Sequence, residues 1–332
     1  MTNKYKVAVY TICKNEEQFV DRWVDSMAEA DEIVVLDTGS TDNTVARLRA
    51  RGVRVEVGVF KPWRFDTPRN ASMHLVSADV DICVCIDLDE VMTPGWRAAL
   101  EASWIPKVNC RVRYLYTWNH NPDGSPGTTF YYEKIHARNG YRWVKPVHEI
   151  LASYVEPKGE VWVTCPNFQL HHWPDNTKSR GSYLPLLAMS VAEEPEDDRN
   201  SHYYGRELMY YHKYDEAIAE LVRHLSLPRA RWMAERAASM RFISCCFAAK
   251  GDTIHAREWA LKACAEDPSA RETWLQLAKV LKTESDWYGV AFACKRLFDI
   301  VQRPDHYINE PEAWSELPEE LRREALSHIK WV

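Results

Sequence analysis

The sequence has no stretch approaching the roughly 20 consecutive apolar residues of a membrane-spanning helix. Its opening residues, Met1–Lys6, run into an apolar, β-branched segment rather than a leader, so a soluble cytoplasmic protein is expected. No Cys-x-x-Cys pair occurs, and the 9 cysteines are odd in number and scattered. That speaks against a disulfide framework and a thiolate zinc site, and for reduced, buried thiols. Positive charge is not in excess either: 42 Lys and Arg face 48 Asp and Glu, a net charge of −6. A general electrostatic nucleic-acid binder is thereby disfavoured. What is present is globular. Hydrophobic residues make up 46% and charged residues 27% of the 332 positions, which excludes a disordered or fibrous chain and suggests two domains. Fourteen tryptophans supply core volume and flat faces for ring-shaped ligands.

The first third alternates strand and helix signals. Tyr5–Ile12, Glu32–Asp37, Val53–Val59 and Asp81–Asp87 are short apolar runs that read as buried strands. Between them, Glu16–Ala28 carries Phe19, Trp23 and Met27 on one helical face. Ser40–Asn43 offers N-cap chemistry to a second helix, and Pro68–Val76 reads as a third with Pro in its first turn. Such alternation predicts a mostly parallel sheet, with ligands outside the carboxyl ends of its strands. Roughly Val108–Val163 changes to longer strands, with Asn119–Thr128 either a mobile lid or a surface hairpin. From Ser201 the pattern is helical to the end. Ala217, Ala256 and Ala291 recur at a spacing close to the ~34-residue period of helix-turn-helix repeats. The boundary falls within Pro174–Asn200. The expected domains are 1–175 and 201–332, with 176–200 connecting them.

The sharpest chemical signal is Asp87-Leu88-Asp89 at the end of the fourth strand. Two carboxylates one residue apart, where a buried strand meets solvent, suit a hard cation such as Mg²⁺ or Mn²⁺. An acidic surface turn is the plain alternative. Asp87–Val91 also resembles the first motif of haloacid dehalogenase-type phosphatases, where the first Asp is a nucleophile. In that family the motif sits on the first strand, and here three strand-helix units precede it.

The upstream residues decide between these. Thr11–Glu17 (TICKNEE), Val34–Asp42 (VVLDTGSTD), Phe65–Ala71 (FDTPRNA) and Asp87–Glu90 (DLDE), in this order, resemble glycosyltransferase family 2, which has the GT-A fold. The resemblance spans about Lys4–Trp173. It implies that Thr11 and Asp37 hold the base and ribose of a nucleotide, that Arg69 and Asn70 lie beside that pocket, and that Asp87 and Asp89 bind metal. This chain has Asp-Thr-Gly-Ser (Asp37–Ser40) where many members have Asp-Asp-Gly-Ser, one carboxylate fewer. Val147-His148-Glu149 falls where family members carry the base that deprotonates the acceptor. Glu149 is the candidate, with His148 orienting it or binding diphosphate. His171 and His172 come late in the domain, where an imidazole often completes the metal site. Neighbouring strand residues face opposite ways, and His172 is favoured slightly. Arg180 and Lys178 are candidates to close over a diphosphate, although Lys178 reads more simply as part of a solvated basic turn.

The expected protein is therefore α/β followed by all-α: a GT-A nucleotide-sugar-binding domain with a mostly parallel sheet, then tetratricopeptide-like helical repeats. The resemblance implies an inverting transfer from a nucleotide sugar, most readily UDP-linked, with Mn²⁺ or Mg²⁺. The acceptor stays open among peptide or protein, saccharide and, less readily, modified DNA. The domain order resembles that of sublancin-type peptide S-glycosyltransferases. The helical domain would present the acceptor or form a homodimer. A non-catalytic peptide-binding scaffold with a degenerate transferase domain is the alternative of a different class.

Overall fold

The computed structural model describes residues 4–106, 109–154, 159–175, 181 and 183–329. They fall into two compact units, Met1–Ser179 and Arg180–Val332.

The first unit runs β1 (Val7–Cys13), α1 (Val20–Ser26), β2 (Glu32–Asp37), α2 (Thr44–Ala50), β3 (Arg54–Val57), α3 (Asp66–Leu75), β4 (Ile82–Cys85), β5 (Glu90–Met92) and α4 (Trp96–Ser103). It continues with β6 (Asn109–Thr117), β7 (Thr129–Ala137), β8 (Tyr141–Val144), β9 (Ile150–Ser153) and β10 (Glu160–His172). Eight strands form one sheet in the order β3-β2-β1-β4-β7-β6-β10-β5, and β8 and β9 pair separately. The β1–β2, β1–β4, β2–β3 and β6–β10 pairings are parallel, while β7 and β5 run against their neighbours. The carboxyl ends of β1, β2, β4, β6 and β10 therefore share one edge. Val7–Cys13 and Ile82–Cys85 are buried along their whole length, as strands covered on both faces must be. Trp23, Met27, Leu48, Trp96 and Leu100 pack from the helices against them.

Differences from the sequence reading have local causes. The first helix begins at Val20 rather than Glu16. The Glu16 and Glu17 amides are instead bonded to Thr44 Oγ1 (2.7 Å) and Asp42 Oδ2 (3.2 Å), which ties this turn to the β2–α2 loop. β5 and α4 were not anticipated, because a three-residue strand after an acidic turn leaves no periodic trace. Asn119–Thr128 is a closed β-turn region: Trp118 and Gly127 amides bond across it to Thr128 and Asn119 carbonyls at 2.9 Å.

The second unit contains α5 (Tyr183–Glu193), α6 (Asp198–Tyr210), α7 (Tyr214–Ser226), α8 (Met233–Ala249), α9 (Thr253–Glu266), α10 (Arg271–Thr283), α11 (Trp287–Phe298) and α12 (Leu317–His328). α6–α7, α8–α9 and α10–α11 are helical hairpins with matching turns. His212, Gly251 and Ser285 all take positive φ two residues before the second helix. Asp252 and Asp286 then cap α9 and α11 by accepting amide protons three residues on. The equivalent buried positions are Ala217, Ala256 and Val290, so the third repeat is aligned one residue away from the expected Ala291. The unit starts before Ser201 because α5 joins it: Asn200 Nδ2 donates to Ser190 Oγ at 2.6 Å.

The segment Pro304–Trp314 returns along the first helices of these hairpins. Tyr307 donates its hydroxyl to Glu235 on α8, and Arg241 Nη1 donates to Glu310 Oε2 at 2.7 Å. The Glu310 amide and Trp314 Nε1 both reach Glu272 Oε1 on α10, at 3.0 and 3.2 Å. The Tyr307 ring lies 5.9 Å from Tyr203 on α6 and 5.3 Å from Trp232.

Gly205 sets the spacing of the first hairpin, since a Cβ there would sit 2.6 Å from Leu221 Cγ and Cδ2. Gly205→Ala should therefore destabilise the second unit by about 1–2 kcal/mol, the overpacking cost exceeding the ~1 kcal/mol of helix propensity gained. Urea unfolding followed by circular dichroism checks this; a stabilised variant would show that the helices part freely.

Candidate functional site

At the shared carboxyl edge, Asp87 and Asp89 flank Leu88, which is fully buried and anchors the turn. The turn is locked reciprocally: the Glu90 amide donates to the Asp87 carbonyl at 3.0 Å, and the Asp87 amide donates to Glu90 Oε2 at 2.8 Å. Both Asp87 oxygens are engaged. Oδ1 accepts from Arg69 Nη1 and, at 3.3 Å, from Thr11 Oγ1, while Oδ2 accepts from Lys134 Nζ at 3.0 Å. Burial alone would push the Asp87 carboxyl up, but Arg69 and Lys134 outweigh it and hold it far below the usual range.

Arg69 lies on α3 and is 6% exposed. Its Nε donates to Glu149 Oε1 at 3.0 Å, so one guanidinium joins the β4 turn to the β8–β9 connection. That connection turns through Lys145 (φ 87) and His148 (φ 49), both left-handed, and this delivers Glu149 to Arg69. Asn70, next on α3, holds the Trp143 backbone through two 2.8 Å bonds. The Arg69 guanidinium lies 5.6 Å from the Trp143 ring. Beneath it is a buried relay. Trp143 Nε1 donates to Tyr10 Oη, which lies 2.8 Å from His136 Nε2, and His136 Nδ1 is 2.7 Å from the Ala137 carbonyl. The proton order that uses every donor has Tyr10 donating to Nε2 and Nδ1–H donating to Ala137, which assigns a neutral imidazole. Burial accordingly lowers its pKa to about 3.

β5 pairs with β10 so that His172 lies opposite Glu90. His172 Nε2 faces Asp89 Oδ2 at 3.3 Å, and its Nδ1 is 2.9 Å from the Trp118 carbonyl. Only an Nδ1–H can bond there, which directs the Nε2 lone pair of the neutral ring at Asp89. Burial works against the imidazolium, but Asp89 prevails and raises the His172 pKa. His171 faces away and meets His120 at 3.0 Å. His120 in turn stacks on Trp173, ring centroids 3.6 Å apart. Trp118 and Trp173 leave indole surface exposed at this end of the sheet.

Of the residues singled out in the sequence, Thr11, Arg69, Asp87 and Glu149 form one connected group, and Asp89 with His172 a second beside it. Asp37 stands apart from both. Its Oδ1 accepts the Gly39 and Ser40 amides at 2.9 and 2.8 Å, and its Oδ2 accepts the Ser40 hydroxyl. Gly39 (φ 108) makes that loop possible. Asn70 is likewise committed to backbone, and His148 is half-buried at the connection. Lys178 and Arg180 lie outside the described residues. Expected as a metal pair, Asp87 and Asp89 have different partners, since two cations already occupy Asp87. Among the described residues, no three His, Cys, Asp or Glu side chains converge as a metal cage.

Two residues escaped sequence reading. Lys134 on β7 is 4% exposed and Glu90 is 2% exposed. Lys134 Nζ donates to Glu90 Oε1 and Oε2 at 3.0 and 3.1 Å as well as to Asp87, and Tyr116 donates to Glu90 Oε1 at 2.9 Å. Phe130, Tyr132, Lys134 and His136 alternate on one face of a strand, and a lysine there calls for a buried acid once that face is known to be covered.

The family profile described as "Glycosyl transferase family 2" matches residues 8–144. A curated relative, the lipopolysaccharide core biosynthesis glycosyltransferase LpsC of Rhizobium meliloti (strain 1021), is 29% identical over 105 residues. The match covers 30% of this chain and spans 37% of that relative's length. Glucosyl-3-phosphoglycerate synthase from Mycobacterium tuberculosis, solved with Mn²⁺, UDP-glucose and phosphoglyceric acid, is 26% identical over 33% of this chain and 44% of its own, with a TM-score of 0.28. The Sgt2 TPR domain from Aspergillus fumigatus is 18% identical over 40% of this chain and 78% of its own, with a TM-score of 0.32.

The floor of the site carries a pH signature. The neutral His136 binds its proton only near pH 3 when folded, and near 6.5 when unfolded. Its share of stability is thus complete above pH 6.5 and is lost as pH falls, at about 1.4 kcal/mol per unit. His136→Gln should flatten the slope of unfolding free energy between pH 6 and 4, measured with urea. Parallel slopes for the two proteins would show that the imidazole is already charged in the fold.

Proposed function

With residues 8–144 a family 2 glycosyl transferase domain, we propose that the protein transfers a sugar from a UDP-linked donor, with inversion, to an acceptor hydroxyl deprotonated by Glu149. The observation that carries this is the Arg69 bridge. It holds Glu149, the proposed base, and Asp87, the proposed donor-side carboxylate, in one ionic unit at the edge where open α/β sheets take ligands.

Each residue has a role its contacts support. Asp87 faces the donor from the end of β4, backed by the hydroxyl of the buried Thr11 on β1. Asp37 acts through its loop, ordering Gly39 and Ser40 rather than offering a free carboxylate to the ribose. Arg69 orients Glu149, so the base is held fixed before the acceptor arrives. His148 shapes the turn that presents it. Asp89 and His172 fit a divalent cation: one hard carboxylate oxygen and one imidazole nitrogen whose tautomer is fixed by the Trp118 carbonyl. Mn²⁺ or Mg²⁺ held there supplies charge neutralisation for a departing diphosphate.

A saccharide is the acceptor this arrangement favours. The exposed indoles of Trp118 and Trp173 flank the site, and a curated relative is by name a lipopolysaccharide core glycosyltransferase. A peptide on the first helices of the repeats would compete with Pro304–Trp314, which weakens both the peptide-acceptor and the scaffold readings. The phosphatase reading is weaker still, because the Asp87 oxygens that would attack are tied to Arg69 and Lys134.

Glu149→Gln keeps an acceptor for the Arg69 Nε but cannot take a proton. It should bind UDP-sugar as the parent does and transfer to a hydroxyl acceptor roughly 100-fold more slowly or worse. Near-parental transfer would move the base elsewhere. Asp89→Ala should abolish metal-dependent donor binding in calorimetry without lowering the melting temperature, and EDTA should reproduce it. Undiminished turnover in EDTA would remove the metal from the reaction.

A further inference from the structure

We propose that Lys134 is a positioning residue that keeps Asp87 out of the cation site, so that a divalent cation binds here together with a nucleoside diphosphate and only weakly alone. This rests on the nucleotide-sugar reading of the site and adds to it a rule for the order of binding.

The argument is one of ligand supply. An ammonium has three protons to donate. Lys134 meets three oxygens: Asp87 Oδ2 at 3.0 Å, Glu90 Oε1 at 3.0 Å and Glu90 Oε2 at 3.1 Å. Its side chain is 5% exposed and cannot swing out to water without leaving Glu90, itself 2% exposed, as an unpaired buried acid. The β4–β7 pairing fixes its position: Val84 lies opposite Ile135, which sets Lys134 beside the start of the acidic turn. Arg69 and Thr11 meet the other Asp87 oxygen. A cation arriving at Asp89 and His172 therefore finds one carboxylate and one imidazole, not the two carboxylates that Asp87-Leu88-Asp89 suggests in sequence. Two protein ligands leave most of the shell of Mn²⁺ or Mg²⁺ to water and phosphate oxygens, so affinity depends on what the nucleotide brings. With Lys134 replaced by an apolar residue, Asp87 Oδ2 becomes available, two residues from Asp89 on the same turn.

The test reads Mn²⁺ binding to the full chain by the electron paramagnetic resonance of free Mn²⁺, with and without UDP, corrected for Mn²⁺–UDP association in buffer. The wild-type protein should bind Mn²⁺ at least about ten-fold more tightly with UDP present, and Lys134→Met should bind it about ten-fold more tightly than wild type without UDP, with a smaller gain on adding UDP. Lys134→Arg should restore the wild-type pattern. A role confined to stability would weaken Mn²⁺ binding in both conditions. Should Lys134→Met fail to fold, the double variant Lys134→Met/Glu90→Gln removes one charge of each sign and reads the same quantity. UDP-coupled Mn²⁺ binding in the wild type, with UDP-free affinity unchanged or weaker in the variant, overturns this inference alone. Absence of UDP-coupled Mn²⁺ binding in the wild type overturns the proposed function and this inference with it.

Discussion

The first unit is organised around a buried guanidinium. Arg69 is held by two carboxylates from distant parts of the chain, Asp87 after β4 and Glu149 before β9, and its proton is retained far above any accessible pH. Burial opposes the charge, and Asp87 and Glu149 more than restore it. Replacing Arg69 by a neutral residue would leave Glu149 without this ion pair and Asp87 with Lys134 alone, and breaking a buried pair in this way costs about 3–5 kcal/mol. The position of the proposed base and the stability of the α3–β8 contact are therefore one problem with one solution. Lys134 repeats the device on the other side of Asp87. Asp87 is thus neutralised from both sides, and Asp89 is left facing His172.

The loops are held by polar side chains that reach between strands. Asn15 Oδ1 accepts the Thr41 amide at 2.7 Å, and Ser40 Oγ accepts the Asn15 amide at 2.8 Å. Together with the Asp42 and Thr44 contacts to Glu17 and Glu16, these bonds join the β1–α1 and β2–α2 loops. The residues that look like a nucleotide-contact motif in sequence are mostly the fasteners of these loops. Asp37 shows the distinction: it is buried at 1%, and its oxygens accept from Gly39, Ser40 and, at 3.4 Å, the Cys13 thiol, so it braces its loop from within.

Much of this was legible in the sequence, for identifiable reasons. Buried parallel strands are written as continuous apolar runs, and Glu32–Asp37 matches β2 residue for residue. The helical hairpins announce themselves through small residues at repeat positions, with one misplacement, Val290 for Ala291, where both residues are apolar. Thr11, Arg69, Asp87 and Glu149 were each named from local motifs, but their connection through one guanidinium is a tertiary fact. Lys134 was missed because a lone lysine in YYEKIHA looks like a solvated strand residue until its face is known to be covered. β5 was missed because three residues carry no period, yet it is the strand that sets His172 opposite Glu90.

The segment Pro304–Trp314 carries a consequence for how the helical unit can evolve or be engineered. It is tethered to α11 at one end and α12 at the other, so it meets the first helices of the hairpins at an effective concentration in the millimolar range or above. Any free peptide seeking Glu235, Arg241 and Glu272 competes with a ligand that never diffuses away. Any affinity for an outside partner on that face would thereby be set by the length and sequence of one internal connection. Shortening or loosening that connection would retune recognition without changing a single residue of the helices.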